Sequence, residues 1–202
     1  MENFGAYIIL TRPQLPYTVI AEKCVLHGVK MLQLREKHLS DKELIKIGKD
    51  IKSITKNSST NFVVNDRPDI AAICNADFLH LGQDDISIED ARSIVGNMKI
   101  GLSTHSIEQA KEALKHQPDY IGFGPIFPTN AKAIPDTPVG TEQLKNVLAF
   151  AQVPVVAIGG IFPENIDQVV KAGAKNIAMV RYFMQNTEFD DRLKHVNNMI
   201  NM

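Results

Sequence analysis

The stretch "FLHLGQDDISIEDARSIV", residues 78–95, contains a strand, a polar turn and a helical segment in direct succession. "FLHLG" (78–82) is largely apolar, which is typical of a strand buried on both faces. "SIEDARSIV" (87–95) predicts a helix, whose dipole would favour the acids before it. The turn places two adjacent acids, Asp84 and Asp85, where a buried strand ends. Such a pair costs stability unless a positive group lies nearby, so the turn indicates a functional site.

Short β-rich runs like "FLHLG" recur along the whole chain. Eight of them are predicted to be strands, at 6–11, 29–35, 61–66, 78–82, 99–103, 120–124, 154–160 and 176–180. Amphipathic segments lie between them, at 40–54, 106–116 and 162–174 among others. Ser40 and Glu43 predict a capping box at the start of the first of these helices.

Eight strands alternating with helices in 202 residues predict an α/β fold, a single-domain (β/α)8 TIM barrel of near-minimal length spanning residues 1–202. The alternative is an open doubly wound sheet. That fold would need a glycine-rich phosphate turn after the first strand, and "LTRPQLP" (10–16) is not one. A barrel places its chemistry at the carboxyl ends of the strands and in the loops that follow them.

The composition narrows the class of protein. A formal net charge of -1, with 22% charged residues, gives no reason to expect nucleic acid or an anionic membrane as a partner. Cys24 and Cys74 are far apart, which predicts buried thiols in a reducing compartment rather than a disulfide. No signal peptide or membrane-length run is visible, so a cytoplasmic location is expected. The oligomeric state stays open, with a homodimer as one expectation because small barrels often pair.

Three cations are predicted to share the mouth of the barrel. Arg35 and Lys37 follow the second strand, and Lys132 lies in the long loop 125–140 after the sixth. Arginine forks onto phosphate oxygens and lysine supplies a compact charge, so the set predicts binding of a multiply charged anion such as pyrophosphate.

Two acids from different strand ends, Asp66 and Asp85, would face that anion and repel it. A Mg²⁺ between them and the phosphates resolves the conflict, because Mg²⁺ takes one or two carboxylates together with phosphate oxygens. "AIGG" (157–160) and "NIAMVR" (176–181) end strands seven and eight, where barrels often bind phosphate. Two phosphate sites in one mouth favour a transferase with two phosphorylated substrates.

Seven motifs together resemble the thiamine-phosphate synthases, a family that includes the related thiazole tautomerases. They occur in family order between about residues 6 and 183: "QLREK", "VNDR", "HLGQDD", "GLSTH", "YIGFGPIFPT", "AIGGI" and "GAKNIAMV". The resemblance implies joining of hydroxymethylpyrimidine pyrophosphate to hydroxyethylthiazole phosphate, which gives thiamine phosphate and pyrophosphate. It also implies one Mg²⁺ per active site and a dissociative substitution.

The resemblance also implies roles for individual residues. Gln33 would hydrogen-bond the aminopyrimidine and His80 would lie close to that ring. The pyrophosphate ligands would be Arg35, Lys37, Asn65, Ser103 and Lys132. Among these, the residues expected to assist catalysis are Arg35, Lys37, Ser103 and Lys132. Asp66 and Asp85 would hold the metal.

Thr129 and Gly160 match the side that binds the thiazole phosphate, and this side also holds the departures from the family pattern. The loop usually carries a threonine where this chain has Ala131. The last strand usually ends Val-Ser, and here the corresponding residues are Val180 and Arg181. Arg181 would either grip the phosphate or block its site, and the sequence leaves both alternatives open.

Two other functions are compatible with the motifs. The tautomerases usually lack the two acids and carry a catalytic histidine at the position of Pro125, so the sequence favours a synthase over them. The third alternative is a non-catalytic barrel that binds a thiamine precursor, and only the two departures support it.

Overall fold

The protein was analysed as a computed structural model that describes residues 3–129 and 137–200. Its centre is a closed barrel of parallel strands in which each strand pairs with its neighbour in sequence and β1 pairs with β8. The strands are Gly5–Leu10 (β1), Met31–Leu34 (β2), Asn61–Asn65 (β3), Phe78–Leu81 (β4), Lys99–Thr104 (β5), Tyr120–Phe123 (β6), Val155–Ile158 (β7) and Asn176–Ala178 (β8). The predicted TIM barrel is confirmed.

Helices alternate with the strands and cover the outside of the barrel. They are Tyr17–Leu26 (α1), Asp41–Thr55 (α2), Pro68–Ile73 (α3), Ile88–Val95 (α4), Ile107–Lys115 (α5), Gly140–Phe150 (α6), Ile166–Lys171 (α7), Val180–Met184 (α8) and Phe189–Ile200 (α9). None of the helices in the described ranges is both long and apolar enough to cross a membrane.

Local sequence signals fix several helix starts. Ser40 accepts a hydrogen bond from the Glu43 backbone and Glu43 bonds back to Ser40, which confirms the predicted capping box of α2. Ser87 and Ser106 cap α4 and α5 in the same position through their hydroxyl oxygens. These bonds satisfy backbone N–H groups that a helix leaves without a partner at its start.

The seventh helix is shorter than the predicted 162–174. It begins after Asn165 because that side chain accepts a hydrogen bond from the Phe162 backbone at 2.9 Å and donates one to the Gly160 carbonyl at 2.9 Å. An asparagine that bonds locally in this way favours a turn over a helix. The segment before α7 is therefore a polar turn next to the carboxyl end of β7.

The barrel has two apolar cores, one on each side of its wall. Alternate residues of each strand face inward or outward, so Tyr7 and Ile9 of β1 pack inside the barrel, whereas Ile8 and Leu10 pack against the helices. Cys24 lies in the outer core as a free, buried thiol, as does Cys74, so the prediction of unpaired cysteines is confirmed.

Candidate active site

The carboxyl ends of β2 to β5 bring most of the predicted site residues together. Gln33, Asn65, His80 and Ser103 lie on the strands themselves, and the charged residues lie in the loops that follow. Parallel strands in a closed barrel all end on one face, so residues up to 70 positions apart in the chain share one mouth.

Asp66 and Asp85 face each other at this mouth. Their carboxyl groups are close enough to hydrogen-bond to each other. Asp66 has a φ of 60°, and its backbone N–H donates to the His80 carbonyl at 2.8 Å, which turns the chain just after β3. The Asp85 carboxylate accepts a hydrogen bond from the Gly82 N–H at 2.6 Å, and Gln83 of the same turn donates to the Ser103 carbonyl at 2.6 Å.

The environment drives the pKa values of the two acids apart. Burial raises the pKa of Asp85, and the neighbouring Asp66 carboxylate raises it further against the opposing Gly82 hydrogen bond. Burial also disfavours ionisation of Asp66, but the Lys37 ammonium, the hydrogen bond from Asp85 and the charge of Arg35 outweigh it and lower its pKa. Close approach of the two carboxyl groups therefore disfavours the charged form of Asp85, while the neighbouring cations favour the charged form of Asp66.

Lys37 and Arg35 supply the positive charge beside the acids. The Lys37 ammonium lies 2.8 Å from the Asp66 carboxylate, and its side chain is 56% exposed to the mouth. The Arg35 N–H donates to the Leu10 carbonyl at 2.9 Å, so its backbone continues the pairing between β1 and β2. The positions of Arg35 and Lys37 agree with the predicted cation cluster. Its third member, Lys132, lies outside the described residues, as does Ala131.

Glu36, between the two cations, is a buried residue that the sequence did not single out. Its carboxylate accepts hydrogen bonds from the Arg12 backbone N–H and from the Tyr17 hydroxyl, the latter at 2.7 Å. These bonds tie the loop after β1 to the loop after β2 and fix the segment that carries Arg35 and Lys37. The unusual "LTRP" stretch thus provides the turn that reaches Glu36. In the sequence, the only sign of this role for Glu36 was the position of a single acid between two bases.

A buried chain of polar side chains lies beneath the mouth. Gln33 donates to the Tyr7 hydroxyl at 2.9 Å, and the Tyr7 and Tyr120 hydroxyls are 2.7 Å apart. His80 lies 2.8 Å from the Tyr120 hydroxyl and 2.9 Å from the Ser103 hydroxyl through its two ring nitrogens. Burial lowers the pKa of His80 to about 4, so its ring is neutral near pH 7. Sequence reasoning missed both tyrosines, whose only signal was a polar group on an inward-facing strand position.

Close backbone contacts shape the other side of the mouth, after β7. Phe127 donates its N–H to the Gly159 carbonyl at 3.0 Å, which brings the loop after β6 against the β7 end. A side chain at Gly160 would meet the Phe127 carbonyl at 2.6 Å, so only glycine fits there. Thr129 is the last described residue of the long loop and has a polar or electrostatic contact of its own.

The prediction that Val180 and Arg181 end the eighth strand is wrong. The strand ends at Ala178, and both residues lie in the first turn of α8. The chain leaves the barrel early because Met179 adopts a cap conformation, with φ of -123° and ψ of 72°, before the helix begins. The Arg181 guanidinium nevertheless reaches the turn after β7, where it lies 5.0 Å from the centre of the Phe162 ring.

Comparison with known proteins identifies the family. The family model described as thiamine monophosphate synthase matches residues 7–183. The chain belongs to this family. The family predicted from the motifs is therefore confirmed, and with it the enzyme class, because the curated relatives are thiamine-phosphate synthases, which are transferases.

Individual relatives in the thiamine monophosphate synthase family cover most of the chain. A thiamine-phosphate synthase from Lawsonia intracellularis is 40% identical over 174 residues, which are 86% of this chain and 80% of that protein. One from Pyrococcus abyssi is 39% identical over 183 residues, or 91% and 88% of the two chains.

Solved structures agree with this assignment. A thiamine phosphate pyrophosphorylase from Pyrococcus furiosus has a TM-score of 0.88 at 32% identity, covering 98% of this chain and 96% of that chain. A 3-hexulose-6-phosphate synthase, at 16% identity and a TM-score of 0.66, shares the fold alone.

Proposed function

We propose that this chain is a thiamine-phosphate synthase that joins hydroxymethylpyrimidine pyrophosphate to hydroxyethylthiazole phosphate. The observation that carries the proposal is the cluster of Asp66, Asp85, Lys37 and Arg35 at one end of the barrel. Two carboxylates beside two cations suit a negatively charged substrate that binds together with a metal ion. Family membership adds the substrate class, since the relatives are thiamine-phosphate synthases by name.

The acid pair fits a Mg²⁺ ion. Among the described residues no cluster of three or more acids, histidines or cysteines could hold a metal, which leaves Asp66 and Asp85 as a two-carboxylate set. Two carboxylates completed by phosphate oxygens and water are what Mg²⁺ typically takes in such sites. When bound, the ion neutralises diphosphate charge and acts as a Lewis acid. Burial and the neighbouring Asp66 carboxylate raise the pKa of Asp85, and a cation between the two acids would offset that repulsion.

Other residues of the chain bind and orient the two substrates. Arg35 and Lys37 hold the diphosphate, whose ester oxygen on the nearer phosphorus takes the electron pair when its bond to the pyrimidine methylene carbon breaks. Preorganised cations stabilise that developing charge without any movement during the reaction. Gln33 orients the pyrimidine, and the thiazole nitrogen supplies the electron pair of the new carbon–nitrogen bond. Asn65, Ser103 and Lys132 are further proposed ligands of the diphosphate.

The thiazole phosphate is proposed to lie at the other side of the mouth, by Thr129, Gly160 and Arg181. Holding its ring against the pyrimidine methylene supplies proximity, and no nucleophile from the protein is needed. Val180 belongs to the same proposed subsite through its place beside Arg181.

The test of the proposal is direct. Purified protein is incubated with both phosphorylated precursors and MgCl₂, and thiamine phosphate and pyrophosphate are measured by chromatography. We expect both products in equal amounts, and none when EDTA is present. Tight binding of one precursor without turnover would instead support a binding barrel. Isomerisation of a carboxylated thiazole alone would support a tautomerase.

Arg181→Ser, which restores the usual family residue, is expected to raise the KM for the thiazole phosphate about fivefold, because a forked donor to phosphate is lost. The KM for the pyrimidine substrate should stay within about twofold of the wild-type value. Steady-state kinetics with each substrate varied in turn measure both constants.

Arg92→Ser is the matched control for Arg181→Ser. Arg92 of α4 donates to the Gln117 carbonyl in the turn before β6, at the amino-terminal end of the barrel, so its loss should leave both constants unchanged. Equal effects of Arg181→Ser on the two substrates would contradict its placement on the thiazole side.

A further inference from the structure

The buried polar chain beneath the mouth joins Gln33 to Ser103, the two residues that the proposed function places against one substrate. It runs through four hydrogen bonds across five strands, in the order Gln33, Tyr7, Tyr120, His80 and Ser103. Tyr7 and Tyr120 are at most 2% exposed, so no bulk water can exchange with the middle of the chain.

The direction of one bond sets the direction of all the others. The Tyr7 and Tyr120 hydroxyls are buried, so each keeps one proton. Each ring nitrogen of His80 faces one hydroxyl, and a ring with one N–H can satisfy both contacts. Gln33 donates to Tyr7, and by distance alone the bond between Tyr7 and Tyr120 could run in either direction. If Tyr120 were the donor, the buried Tyr7 proton would have no acceptor in the chain, so the Tyr7 proton is assigned to Tyr120 and the Tyr120 proton to Nδ1 of His80. The histidine then carries its proton on Nε2 and donates to Ser103.

Ser103 thereby receives a hydrogen bond from beneath and keeps its own proton for a group in the mouth. If the Gln33 amide turned over and presented its oxygen to Tyr7, each bond would reverse. The Ser103 proton would then point down to His80. The orientation of one side chain at the mouth thus fixes the proton of another, although they lie on β2 and β5.

We propose that this chain couples recognition of the pyrimidine at Gln33 to presentation of the Ser103 proton to the diphosphate, with Tyr7 and Tyr120 as positioning residues. The inference rests on the proposed function, in which both ends contact one substrate. A ring amino group that donates to the Gln33 oxygen keeps the Gln33 nitrogen on Tyr7. That orientation is the one in which Ser103 can donate to the leaving group.

The packing around Tyr120 holds the chain in register. The His80 ring stacks on the Tyr120 ring with centroids 5.5 Å apart and planes inclined by 20°. Gly101 of β5 gives the tyrosine its space, since a Cβ there would lie 2.1 Å from the Tyr120 ring. Tyr120 is consequently packed closely around its ring, and its hydroxyl lies within hydrogen-bond distance of Tyr7 and His80.

The first test uses ¹⁵N NMR of the His80 side chain in the protein without substrates. We expect Nε2 to be protonated and Nδ1 to be an acceptor in the wild type, and a mixture of tautomers in Tyr120→Phe. Protonation at Nδ1 in the wild type, or an unchanged tautomer in the variant, would overturn the proposal. The readout needs no activity, so it separates failure of the chain from failure of the proposed reaction.

The second test is a double-mutant cycle on kcat. Ser103→Ala is expected to lower kcat about tenfold in the wild type, the scale of one buried hydrogen bond, but less than about threefold in Tyr120→Phe. The same tenfold loss in both backgrounds would show that Tyr120 does not act through Ser103. Tyr7→Phe should likewise reduce the loss of kcat that Ser103→Ala causes. It replaces Tyr120→Phe in the cycle if that variant does not fold.

Phe78→Leu is the control for a general packing defect. Phe78 contacts the Tyr120 ring at 5.9 Å between centroids but makes no hydrogen bond in the chain. The variant should be less stable, yet Ser103→Ala should still lower its kcat about tenfold, because the chain of hydrogen bonds is intact. Loss of the Ser103 effect in this control would assign the coupling to packing and contradict the proposal.

Discussion

Asp85→Asn is expected to lower kcat/KM for the pyrimidine pyrophosphate on the order of 100-fold or more, because the substitution removes a proposed carboxylate ligand of the metal ion that would offset the charge of the leaving diphosphate. The substitution is close to isosteric, and the asparagine oxygen can still accept the hydrogen bond from the Gly82 N–H. The loop should therefore keep its shape while the acid pair loses one of its charges. Activity measured across a MgCl₂ titration should also need much more metal.

Asp84→Asn is the matched control for Asp85→Asn. Asp84 is the adjacent residue, carries the same charge and is exposed to solvent, whereas Asp85 is partly buried against Asp66. Its loss should change activity by less than about twofold, as expected for an exposed charge. A wild-type rate in Asp85→Asn, or an equal loss in Asp84→Asn, would contradict the proposed metal site.

Gly160→Ala is expected to lower the free energy of unfolding by about 3 kcal/mol or more, since it combines backbone strain with a steric clash. Gly160 has a φ of 67°, which L side chains rarely adopt, and an added Cβ would meet the Phe127 carbonyl at 2.6 Å. The contact is with backbone, so the loop after β6 must move. Chemical denaturation followed by circular dichroism measures the loss.

Gly28→Ala separates the two causes. Gly28 has nearly the same φ, 65°, but nothing lies within 4 Å of an added Cβ. It should therefore show the strain alone, about 1 kcal/mol. The KM for the thiazole phosphate should rise in Gly160→Ala and not in Gly28→Ala. Equal losses of stability in the two variants would show that the loop after β6 yields without cost.

The fold could be predicted because its signals are local. A short apolar run marks each strand, and apolar residues at helical spacing mark the helices. A serine caps α2, α4 and α5. A closed barrel fits eight such units, and its parallel strands bring the carboxyl ends of β3 and β4 to one face. Asp66 and Asp85 could for that reason be paired before any coordinates were known.

Local geometry and contacts across the barrel both account for what the sequence did not predict. The early end of β8 depends on the backbone conformation of Met179, and the late start of α7 depends on the local hydrogen bonds of Asn165; helix propensity encodes neither. Buried polar residues were missed for a related reason. A tyrosine in an apolar strand looks like an ordinary core residue in the sequence. Its polar role becomes visible only in the structure, where the Tyr7 and Tyr120 hydroxyls meet across the barrel.

The sequence by itself determined the barrel, the family and the set of charged residues that gather at the mouth, because periodicity and motif order are properties of neighbours along the chain. Only the tertiary structure decided that Glu36 anchors the two cations, that Arg181 sits on a helix, and that Tyr7 and Tyr120 link Gln33 to Ser103. Hydrogen bonds between side chains depend on distances of a few ångströms across the barrel. The amino-acid order leaves those distances unspecified until the strands have closed.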